Sequence, residues 1–123
     1  MGANLGVNDG RLASCPKSPN CVCSFENPDD SHYIAPLKAE ANPISELKSI
    51  LEDLGFKIVG YEPTYLHATE TSLIFRFVDD FEAYYDAGSS MLHFRSASRV
   101  GRSDFGVNRK RVEKIRERLN KVL

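Results

Sequence analysis

From Phe56 to Arg99 the chain is dense in β-branched and aromatic residues, broken only by short turn sequences and flanked on both sides by amphipathic helical patterns. That order commits it to an α+β fold built on a mostly antiparallel sheet. Four strands are predicted: Phe56 to Tyr61, Thr64 to Glu70, Leu73 to Tyr85 and Met91 to Arg99. The first helix is expected over Pro43 to Leu54, with Asn42 as cap, an apolar stripe of Ile44, Leu47, Leu51 and Leu54, and Gly55 as the stop. The second runs from Asn108, its expected cap, to Val122, with Val112, Ile115, Leu119 and Val122 inward. Residues 1–42, rich in Gly, Pro, Asn, Asp and Ser, are expected to form an irregular arm carrying the cysteines. The expected fold is therefore a four-stranded sheet with two helices on one face. With 123 residues and 41% hydrophobic content the chain supports one core, so a single domain is expected.

Strand pairing sorts the side chains. If Ala87 and Gly88 make a two-residue turn, Asp80 faces Arg95, Glu82 faces His93 and Arg76 faces Arg99. One face then receives Phe75, Phe77, Phe81, Leu92 and Phe94, and the other Arg76, Val78, Asp80, Glu82, His93, Arg95, Ala97 and Arg99. A four-residue loop keeps that sorting, whereas three or five residues would set charges against phenylalanines.

A net charge of −1 conceals an asymmetry. Residues 1–94 hold six Lys and Arg against 14 Asp and Glu, a net of −8, and residues 95–123 hold ten against three, a net of +7. The basic end could grip nucleic acid by neutralising phosphates, but only Phe105 interleaves the cations as a stacking ring. Internal neutralisation by the acidic portion is the favoured reading, and no nucleic-acid partner is expected. No stretch approaches the roughly 20 apolar residues of a membrane span. The first residues lack the basic and apolar regions of a secretory signal, so a cytoplasmic location is expected, or a periplasm or organelle lumen if a targeting segment was removed.

The run Arg95 to Arg109 is the candidate site. Two facing arginines repel unless a carboxylate or another anion lies between them, and Arg forks suit such groups. Arg76, Arg95, Arg99 and Arg109 are therefore read as cationic groups for an anionic or polar small molecule, with Asp79, Asp80 and Asp104 as internal counter-ions. Ser96, Ser98, Ser103 and Asn108 would orient the molecule. Arginines at a helix start oppose its dipole, which makes Arg109 and Arg111 candidates for an anion partner. No dinucleotide or phosphate-loop pattern occurs, and no cofactor is expected.

Cys15, Cys21 and Cys23 admit several readings: a Cys15 to Cys21 disulfide, free structural thiols, or a nucleophile. The C-x5-C-x-C spacing does not suit a metal, and none is expected. His67, mid-strand, is read as a hydrogen-bonded structural residue, or with Asp80 as an acid–base pair in an enzyme of unknown reaction. A protein-interaction or scaffold domain with a purely structural cluster is the remaining alternative.

The motifs CPKSPNCV at 15–22, HYIAPL at 32–37, YLHATETSLIFRFVDDFE at 65–82 and RSASRVGRSDFGVNRKRVEKIR at 95–116 closely resemble the domain of unknown function 1499 family. The resemblance implies no activity. It implies that Cys15, Cys21, His67, Arg76, Asp79, Asp80 and the polar positions from Arg95 to Arg111 belong to family motifs. The family often has Ser at the position of Cys23, which leaves Cys15 with Cys21 as the pair of interest. It often carries a targeting or membrane segment ahead of the domain.

Overall fold

The computed structural model describes residues 5–72, 76–100 and 106–123. In chain order these form β1 (Val7–Asn8), β2 (Arg11–Leu12), β3 (Cys21–Cys23), β4 (Leu37–Lys38), α1 (Ile44–Asp53), β5 (Lys57–Glu62), β6 (Tyr65–Thr71), β7 (Val78–Asp86), β8 (Met91–Ser98) and α2 (Val107–Asn120). The fold is α+β, but the main sheet has six strands instead of four, in the order β3-β8-β7-β6-β5 with β4 also pairing with β8. The two extra strands come from the arm. Proline-rich flanks hide β3, and a strand buried at every position leaves no alternating pattern to read. The arm also holds the β1–β2 hairpin, whose turn residues Asp9 and Gly10 both have positive φ, as an Asp-Gly hairpin requires.

The β7–β8 register differs by two residues from the expected one: Asp86 pairs with Met91, Glu82 with Arg95, and Asp80 with Ala97. A two-residue turn of this type needs positive φ at Ala87, which an Ala disfavours. The chain instead uses four residues, with the left-handed position at Ser90 (φ 57°), while the Asp86 carboxylate accepts from Gly88 N (3.1 Å) and Ser89 Oγ (3.0 Å). An even loop preserves the face sorting, so the helix-side core keeps Phe81, Leu92 and Phe94, each fully buried. Phe77 leaves it at 45% exposed, and Phe75 lies outside the described residues. The reason is a turn: Arg76 adopts φ 60°, and Ser72 and Phe77 close the β6–β7 hairpin through Ser72 N–H to Phe77 O (2.9 Å). The first residues of the strand expected from Leu73 lie outside the described residues; β7 is described from Val78, and Arg76, before it, does not face Arg99.

Both helices lie on one face. Ile44, Leu47, Ile50 and Leu51 of α1 join Val112, Ile115 and Leu119 of α2 over Leu66, Ala68, Phe81, Ala83, Leu92 and Phe94. Each fully buried Leu, Ile or Phe contributes about 1.5–3 kcal/mol relative to exposure. Asn42 does serve α1, its Oδ1 accepting from Ile44 N–H at 2.9 Å. Asn108, by contrast, is not a cap. It is the second residue of α2 and fully buried, while Gly106 at φ 79° holds the cap position. Val122, beyond the end of α2, is exposed.

The disulfide between Cys15 and Cys21 joins the arm to the sheet edge, with Cα atoms 5.7 Å apart. The tip of its loop is held by His32, whose Nε2 lies 2.9 Å from Ser18 O and whose Nδ1 lies 2.8 Å from Asp30 Oδ1. Both ring nitrogens face acceptors, so both must donate, which requires the imidazolium. The Ser18 carbonyl raises the His32 pKa above its ordinary value, burial works against this, and Asp30 adds to the rise. A raised folded pKa means that the stabilisation is complete below the ordinary pKa and fades as pH rises through the folded value. We expect stability to fall by at most about 1 kcal/mol across that interval. The His32→Gln variant should lack this part of the pH dependence, as urea midpoints measured between about pH 5 and 8 would show.

Candidate functional site

Alternate residues of a strand point to opposite faces, so the candidate residues separate into two polar clusters with the sheet between them. Asp79, Ser96 and Ser98 lie on the helix face; Asp80, Arg95 and Arg99 lie on the face covered by the arm.

On the helix face Arg111 is the hub. Its Nε donates to Glu70 Oε1 (2.8 Å), Nη2 to Asp79 Oδ2 (2.7 Å), and Nη1 to Ser96 Oγ (3.0 Å) and Asn108 Oδ1. Ser96 Oγ donates to Asn108 Oδ1 at 2.7 Å, and Asn108 Nδ2 donates to Asn20 O (3.1 Å) and Ser98 Oγ (3.0 Å). Ser18 Oγ donates to Asn20 Oδ1, and Asn20 Nδ2 to Val100 O. The network ties the disulfide loop, β8, β7, β6 and α2 together. Its guanidinium is satisfied on every nitrogen, which suits a lock. Arg111 was legible as a motif residue beside the helix start, but its role as hub was not.

On the arm face the core of the cluster is Glu82, fully buried, beside Arg95 at 3% exposure. Glu82 Oε2 accepts from Gly6 N–H (2.7 Å) and from Tyr65 OH. Arg95 Nε donates to Ala13 O at 2.8 Å. Both bonds from the arm flank the β1–β2 hairpin, whose Leu12 is buried. Glu82 Oε1 and Arg95 Nη1 form an ion pair at 3.7 Å, beyond hydrogen-bond reach, and each is buried without a hydrogen-bond partner. Burial first, and then the Glu82 carboxylate, push the Tyr65 hydroxyl well above its ordinary pKa, so it is a neutral donor.

Next to this pair, His67 Nε2 lies 2.7 Å from Asp80 Oδ1, and Arg99 forks onto the same carboxylate through Nε (2.8 Å) and Nη2 (3.0 Å). Burial raises the Asp80 pKa, but the hydrogen bonds from His67 and Arg99 outweigh it and hold the carboxyl well below the usual range. Asp80 is therefore a fixed carboxylate that orients His67, which is itself 8% exposed. Two carboxylates and two guanidinium groups leave the cluster near charge balance.

Of the other candidates, Arg76 is exposed on the β6–β7 turn, and Arg109 donates to Ser31 O (2.8 Å) away from both clusters. Ser103 and Asp104 lie outside the described residues. Glu82 and Tyr65 were missed as site residues, although the polar-face sorting had already placed Glu82. Burial pushes the Cys23 thiol up to about 11, which leaves it protonated and inert as a nucleophile. The ion pairs Arg99–Asp80, Arg111–Glu70, Arg111–Asp79 and Arg118–Asp53 each join the basic end to the acidic portion, as the charge asymmetry suggested.

Among the described residues no group of His, Cys, Asp and Glu is gathered as metal ligands would be, and no helix is long and apolar enough to cross a membrane. No curated protein and no solved structure matches the chain. A family model does match, over residues 11–119, and that span takes in β3, the disulfide, the side chains of both polar clusters and all but the last residue of α2. The chain belongs to the family described as proteins of unknown function, DUF1499.

Proposed function

We propose that this protein is a binding domain for a polar small molecule, held beneath the β1–β2 hairpin by Arg95, Glu82, Tyr65 and the His67–Asp80–Arg99 group. The observation that carries this reading is the buried ion pair Glu82 Oε1 and Arg95 Nη1, 3.7 Å apart with no hydrogen bond to either atom. Orphaned buried polar atoms are rare because each costs about 1–3 kcal/mol, and a charged one more. A group that both donates and accepts, such as a hydroxyl, a primary amide or a zwitterion, bridges the two. Near charge balance in the cluster favours such a molecule over a bare anion. The helix-face network is the structural counterpart: Arg111 is saturated from within, which supports a lock there.

The disulfide supports an oxidising compartment, a periplasm or an organelle lumen, over the cytoplasm. The Glu82 and Arg95 pair is sealed from solvent, so the hairpin must lift for a ligand to enter. Lifting it would break the bonds from Gly6 and to Arg95, expose the buried Leu12 and release Arg11 from Phe25 O.

A thermal-shift screen tests the reading, with polyols, primary amides and amino acids set against phosphate, sulfate and citrate. At a hundredfold excess over Kd a specific ligand stabilises by about 2.7 kcal/mol, a rise of roughly 10 °C. We expect a neutral or zwitterionic compound to raise the melting temperature of the wild type and not of Glu82→Gln. Equal shifts in both proteins, or shifts from the anions alone, would rule the reading out.

A further inference from the structure

On the helix side of the sheet, away from the Glu82–Arg95 pair, a groove of about 220 Å3 opens between the end of α1 and the first two turns of α2. Its floor is apolar: Phe56 and Ile115 are buried, Leu54 is half-buried, and Val107 sits at the edge at 45% exposure. Its rim is cationic. Lys110 and Lys114, one helical turn apart and both exposed, line the opening, and neither reaches a carboxylate within 4 Å among the described residues. Glu70 and Arg111 also line it, but they are committed to each other at 2.8 Å, so the lining carries a net charge of about +2.

Two like charges at i and i+4 destabilise a helix. Lys110, in the first turn, adds to that cost at the helix's positive end, and the first turn of α2 holds no acidic residue. An anion seated between the two lysines relieves both effects. The apolar floor beneath it calls for an apolar tail on the same molecule, which inorganic phosphate lacks. Size limits that tail. A cavity of about 150 Å3 accepts benzene, so this groove suits one aromatic ring or a short acyl chain.

We propose that the groove between α1 and α2 binds a small amphiphilic carboxylate, its tail against Phe56 and Ile115 and its carboxylate between Lys110 and Lys114. The site is separate from the arm-face cluster and does not depend on it. Titration with octanoate, followed by the methyl NMR signals of Leu54, Val107 and Ile115, tests it on the intact chain. Octylammonium, with the same tail and opposite charge, and acetate, with the charge and almost no tail, are the comparisons.

The expected result is saturable movement of the three residues with octanoate alone, and affinity at least about tenfold weaker in Lys110→Glu/Lys114→Glu. Both lysines are exposed on a helix surface, and the unchanged spectrum of the variant without ligand will show that it folds. Absence of saturable shifts with octanoate, equal binding of octylammonium, or undiminished octanoate binding in the double variant overturns the proposal.

Discussion

Replacing Arg111 with Ala is expected to cost about 3–5 kcal/mol of folding stability, the range for breaking a buried ion pair by removing one partner. The guanidinium holds two carboxylates, Glu70 and Asp79, and two buried polar side chains, Ser96 and Asn108. Without it Asp79, whose side chain is 12% exposed, keeps a charge with its strongest partner gone. Asn108 Oδ1 loses one donor but retains Ser96 Oγ, so part of the network survives. Arg111→Lys should recover little, because an ammonium cannot reproduce a fork that contacts four side chains at once. Urea denaturation measures the loss directly: the midpoint should fall while the slope stays near the wild-type value. A loss below about 1 kcal/mol would mean that the network is an incidental set of contacts and not a lock.

The second large effect lies across the sheet. Glu82→Ala is also expected to cost about 3–5 kcal/mol, since it strands the Arg95 guanidinium at 3% exposure and removes the acceptor of Gly6 N–H and Tyr65 OH. Glu82→Gln should cost less. It removes the charge but keeps a carbonyl oxygen for Gly6 and Tyr65. The loss should concentrate at the hairpin, so amide hydrogen exchange at residues 6–12 should accelerate in Glu82→Ala more than exchange in β6 or β7. If exchange rises uniformly, the hairpin is not the element that this cluster holds.

Much of the body was legible because its signals are local. Periodicity gave both helices within two residues at each end, and a parity argument gave the faces of β7 and β8 even though the turn itself was misread. Parity survives a shift of two residues, whereas partner identity does not. That is why Glu82, and not Asp80, faces Arg95. The same alternation separates Ser96 and Ser98 from Arg95 and Arg99, although all four had been read as one candidate site.

What stayed hidden depended on contacts distant in sequence. β3 owes its existence to β8, more than 70 residues away, and its three buried residues carry no pattern of their own. Asn108 has the residue type of a cap, yet Asn20, 88 residues earlier, draws its side chain inward. The Asp9-Gly10 hairpin was missed within an arm read as irregular, although Asp-Gly is a strong hairpin signal. The disulfide was one of several open readings, and only the fold brings Cys15 beside Cys21.

The two sides of one sheet differ: Arg111 is saturated by its network, whereas the buried Arg95–Glu82 ion pair lacks a hydrogen bond and is the proposed ligand site. The most direct measurement is NMR of 15N-labelled guanidinium groups during titration with the polyols, amides and amino acids of the thermal screen. The prediction is that the Arg95 signal moves saturably with at least one of them while that of Arg111 stays in place. If none moves Arg95, or if only the exposed Arg76 responds, the proposed site is contradicted.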